Sequence, residues 1–104
     1  MIRHIVLLKA RPEVTEDHLE AIFADLHALH LPGLLALHSG RSESPEQIER
    51  GYLHGFTVDF ADWQALAAYQ SHPDHQRVGR ALVAAAEGGI DGILVFDLPI
   101  EDAP

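Results

Sequence analysis

From Ile2 to Lys9 the side chains alternate with a period of two. Ile2, His4, Val6 and Leu8 share one face, and Arg3, Ile5, Leu7 and Lys9 share the other. Both faces carry apolar residues, which predicts a central strand covered on two sides. Arg11-Pro12 breaks the alternation. Thr15 then suits a helix N-cap, with Glu16 and Asp17 well placed against the helix dipole. Leu19, Ile22, Phe23, Leu26 and Leu29 recur at helical spacing and predict an amphipathic helix ending near Pro32-Gly33.

Leu34 to His38 is a short apolar run that reads as a second strand, and the polar stretch from Gly40 to Arg50 reads as a surface loop. The third strand is the clearest: Tyr52, His54, Phe56, Val58 and Phe60 face one way, Leu53, Gly55, Thr57 and Asp59 the other. Asp62 caps a helix running to about Tyr69, with Trp63 as a packing residue at its start. Pro73 opens another, which runs to about Glu87 and stops at Gly88-Gly89. Ile93 to Asp97 is a last strand. The order βαβ–βαβ, without a linker or low-complexity tract, predicts an α+β, ferredoxin-like βαββαβ protomer over residues 1–104. Its four-stranded antiparallel sheet carries helices on one face. Ile5, Leu7 and Leu53 then need cover that those helices do not supply. A homodimer closed through the open sheet face follows from that burial requirement.

Composition narrows the function classes. With 104 residues the chain makes one domain, and no apolar window reaches the length of a membrane span. Met1-Ile2-Arg3-His4 runs straight into the first alternation and lacks the build of a secretory signal. The absence of cysteine excludes disulfides, thiolate metal sites and thiol catalysis, and a cytoplasmic address is expected. A formal charge of −9 repels phosphate backbones and anionic lipid, so neither nucleic acid nor membrane is expected as a partner. Histidine changes the picture: eight residues of the one side chain that exchanges protons near neutral pH.

His4 and His54 lie on the apolar faces of strands one and three, which the fold makes adjacent, so both imidazoles are expected in one space under the helices. In Tyr69-Gln70-Ser71-His72-Pro73-Asp74-His75, Pro73 holds His72 out of the helix and puts His75 in its first turn. His75 shares a stripe with Val78 and Leu82. The nearby helix start favours its neutral, base-competent form. Tyr69 follows Leu66 on the inward side of the preceding helix. A neutral base beside a phenol is what proton abstraction next to a carbonyl requires, and a small carbonyl-containing ligand is the matching partner. The same residues also suit a non-catalytic protein whose histidines satisfy buried polar needs. Pro73 spoils the His72/His75 spacing as a metal face, and zinc needs three or four convergent ligands, so neither metal nor cofactor is expected.

The segments RHIVLLKARPEVTED, GYLHGFTVDFADWQALAAYQSHPDH and ILVFDLP resemble the stress-responsive dimeric α/β-barrel (Dabb) family, from about Arg3 to Pro99. The resemblance implies a ferredoxin-like protomer whose sheet closes into a barrel with that of a second subunit. It further implies, from a plant polyketide cyclase in the family, a cofactor-free aldol condensation of a linear polyketide thioester. The base of that enzyme matches His75, its supporting tyrosine Tyr69, and its other pocket histidines His4 and His54. The first helix departs from that pattern: Ala24-Asp25-Leu26-His27 stands where the cyclase lines a long cavity with large residues. Family members described only as stress-responsive share the same residues.

Overall fold

A computed structural model describes residues 1–101. The chain runs β1 (Ile2–Leu8), α1 (Glu16–His27), β2 (Leu34–Arg41), β3 (His54–Phe60), α2 (Trp63–Ser71), α3 (Pro73–Ala85), a 3₁₀ turn (Gly89–Gly92) and β4 (Ile93–Pro99). The strands form one antiparallel sheet in the order β2-β3-β1-β4, the ferredoxin-like arrangement with β1 and β3 in the middle. The alternation of β1 and β3 is realised directly. Ile2, His4, Val6 and Leu8, with His54, Phe56, Val58 and Phe60, are buried under the helices.

The caps form as their sequence dictates. The Thr15 hydroxyl accepts from the His18 amide, the Asp62 carboxylate from Ala65, and His72 Nδ1 from Asp74 at 3.1 Å. α1 ends at His27, one turn before Pro32, because Ala28 caps it and the Leu29 amide turns back to the Leu26 carbonyl. Leu29 still reaches the core. Trp63 does not pack as expected. It stands 55% exposed, since Leu66 and Tyr69 occupy the buried face of α2.

The other face of the sheet is uncovered and more apolar than β1 alone implies. Leu94, Phe96 and Leu98 of β4 join Leu7 there, with Phe96 61% exposed. Arg3 and Asp59 hold an ion pair on the same face, at 2.9 and 3.2 Å, which keeps the Arg3 guanidinium charged. Among the described residues no helix is long and apolar enough to cross a membrane.

Candidate functional site

Strand register decides which histidines meet. On β1, His4 lies opposite Asp97 of β4 on one side and Val58 of β3 on the other, whereas His54 lies opposite Leu8. Four residues of strand, about 14 Å, therefore separate the two imidazoles. They do not share one space. His54 sits at the far end of the sheet beside the start of α1. Its Nε2–H donates to both Glu16 oxygens at 2.9 Å. Arg41 binds the same carboxylate at 2.7 Å, and these contacts, His54 foremost, pull the Glu16 carboxyl below its ordinary range. With Glu20 and Arg41, His54 lines a hollow of only about 100 Å³.

The other three sequence-selected residues converge. The ring of Tyr69 lies 4.0 Å from that of His75 and 5.8 Å, edge-on, from that of His4. Tyr69 is wholly buried at the end of α2, and burial pushes its phenol well above the ordinary value, so it stays protonated. His75 occupies the first turn of α3, where Nδ1 lies 3.3 Å from the Gln70 carbonyl. A carbonyl can only accept, so Nδ1 carries the proton and Nε2 keeps the lone pair. Burial lowers the His75 pKa below 6.5, assisted by the positive potential of His4 and His72 when these are charged. His75 is thus the neutral form at neutral pH.

Asp97 is the residue that reading the sequence missed. Its carboxylate takes the Nδ1–H of His4 at 2.5 Å, across the β1–β4 pair. This fixes the His4 tautomer and leaves its Nε2 as the acceptor. The signal was present: a lone acid closing the apolar run Ile93–Phe96, in phase with Ile93 and Val95. His4 and His75 line one cavity of about 230 Å³ between β1, β4 and α3, walled by Val6, Phe56, Leu82 and Val95. No helix covers β4, so Val95 and Ile90 form an apolar mouth. Among the described residues no group of three or more histidines or carboxylates is placed to hold a metal ion.

An open-faced antiparallel sheet with a histidine-lined hollow beneath its helices defines the protomer class of ferredoxin-like α/β-barrel proteins. Residues 2–100 match the Stress responsive A/B Barrel Domain, and the chain belongs to that family, Dabb. It is 29% identical over 99 residues to the stress-response A/B barrel domain-containing protein HS1 of Arabidopsis thaliana, covering 92% of this chain and 86% of that protein. Olivetolic acid cyclase of Cannabis sativa is 28% identical over 80 residues, 75% of this chain and 79% of the cyclase. A dimeric ferredoxin-like protein of unknown function from Jannaschia sp. CCS1 superimposes with a TM-score of 0.90 at 40% identity. That match covers 95% of this chain and 98% of the other.

Proposed function

We propose that the chain is a homodimer closed through its open sheet face, and that each subunit binds a small carbonyl compound beneath its own helices and moves a proton next to the carbonyl. His75 is the base in this reading, through Nε2. Tyr69 is the neutral donor toward the oxygen that gains charge, and His4, held by Asp97, orients the ligand. The observation that carries it is one apolar cavity bordered by a neutral histidine whose ring stacks on a buried, protonated phenol. No redox step is involved, so the chain's own residues suffice. His54 stands outside this chemistry and locks α1 to β2 and β3 through Glu16 and Arg41.

Size argues for a compact ligand. A buried cavity of about 150 Å³ takes up benzene, and this one measures about 230 Å³. Phenylacetaldehyde is of that size and has acidic hydrogens beside its carbonyl. In deuterated water the protein is expected to accelerate exchange of those hydrogens, followed by NMR. His75→Ala should remove a factor of about 10² or more of that acceleration, the ordinary worth of a positioned base. Equal exchange with the wild-type and His75→Ala proteins contradicts the reading. Binding of phenylacetaldehyde at His75 without exchange would instead make the protein a non-catalytic binding dimer.

A further inference from the structure

Gly79 stands in the middle of α3, and nothing packs against it. No heavy atom of a neighbouring element lies within 4 Å of the point where its Cβ would stand. Glycine weakens a helix interior relative to alanine, and close approach of another backbone is the usual reason to keep one there. That reason is missing here. Gly79 instead borders two hollows. It lines the cavity of His4 and His75, and it also lines a shallow groove of about 580 Å³ on the outer side of α3, with Gln76, Arg80 and Ala84. Val83 is shared by both.

Arg80 supplies a second, independent feature. Arg3, Arg41 and Arg77 are paired with Asp59, Glu16 and Asp74, and Arg11 donates to the Ala84 carbonyl. Arg80 is exposed and has no such partner among the described residues, in a chain of net charge −9. An unpaired guanidinium beside an apolar groove suits an anionic group at the end of an apolar chain.

We propose that Gly79 is the gate between cavity and groove, and that the ligand is an extended carbonyl compound with an apolar chain and an anionic end. The carbonyl lies against His75, the chain crosses α3 where Gly79 lacks a side chain, and the acid reaches Arg80. This rests on the carbonyl reading above and sets its specificity.

Binding is read from the imidazole NMR signals of His75, with phenylacetaldehyde as the short probe and 10-oxodecanoate as the long one. The wild-type protein is expected to bind both. Gly79→Leu should weaken 10-oxodecanoate by about ten-fold or more and leave phenylacetaldehyde within about two-fold, since the new side chain enters open space. Gly79→Ala, with a raised Tm as a sign of an intact and stiffer helix, should give a smaller loss of the long probe. Arg80→Gln should weaken the long probe alone, by about three-fold, as an exposed pair allows. Unchanged 10-oxodecanoate affinity in both Gly79 variants overturns the gate and leaves the carbonyl reading standing. Loss of both probes together in Gly79→Leu also overturns it, because the side chain has then filled the cavity itself. His75 signals unmoved by either probe in the wild-type protein overturn the carbonyl reading and the gate with it.

Discussion

Tyr69 is completely enclosed, yet its hydroxyl has no hydrogen-bond partner among the described residues. A buried hydroxyl left unpaired costs about 1–3 kcal/mol on scales drawn from protein mutants. Tyr69→Phe removes that oxygen and keeps the ring against Phe60 at 5.0 Å and against His75 at 4.0 Å. The oxygen-sized gap gives back part of the gain through lost dispersion contacts. The net expectation is a stabilisation of about 1 kcal/mol, or a Tm higher by about 4–8 °C for a domain of this size. Calorimetry at one fixed protein concentration is the assay, because the melting of a dimer shifts with concentration. The same variant should slow exchange of phenylacetaldehyde by about 10², the worth of one donor to a developing oxyanion. A Tm lowered by about 4 °C or more would show that the hydroxyl has a partner in the fold and is not kept free for a ligand. A raised Tm with unchanged exchange would remove Tyr69 from the chemistry.

Burial lowers the His75 pKa beneath its unfolded value of 6.5. The unfolded chain therefore binds the extra proton first. Stability is full above about pH 6.5 and falls as pH drops through the folded pKa, and urea titrations of His75→Gln should show a flatter acid limb. His54→Ala should cost about 1–3 kcal/mol in urea unfolding, by freeing the start of α1, while exchange stays within about two-fold of wild type. A collapse of exchange at unchanged stability would return His54 to the reacting centre. Phe96→Asp places a charge in the middle of the uncovered face and should raise the dimer dissociation constant by about a hundred-fold or more in sedimentation. An unaltered dimer would put the interface elsewhere.

The architecture was legible because period-two alternation in β1 and β3 and helical spacing in α1 and α3 act locally, and Thr15, Asp62 and Pro73 mark their boundaries. The need for cover on the open face was visible in Ile5 and Leu7. The larger apolar contribution of Leu94, Phe96 and Leu98 emerges only once β4 is placed beside β1. At the site, Tyr69 and His75 were readable because Pro73 fixes the hinge between α2 and α3. Register was not readable. One strand places His4 across from Asp97 and Leu8 across from His54, so two histidines with identical patterning end in different environments. Trp63 misled because a large aromatic at a helix start looks like core, whereas Leu66 and Tyr69 had already filled that face.

The central claim is that the ligand sits under the helices and not between the sheets. Intermolecular NOEs from phenylacetaldehyde to the assigned protein test it most directly. The account expects contacts to the His75 ring and to the methyl groups of Leu82 and Val95. Contacts confined to Leu7 and Phe96 on the open face would contradict it.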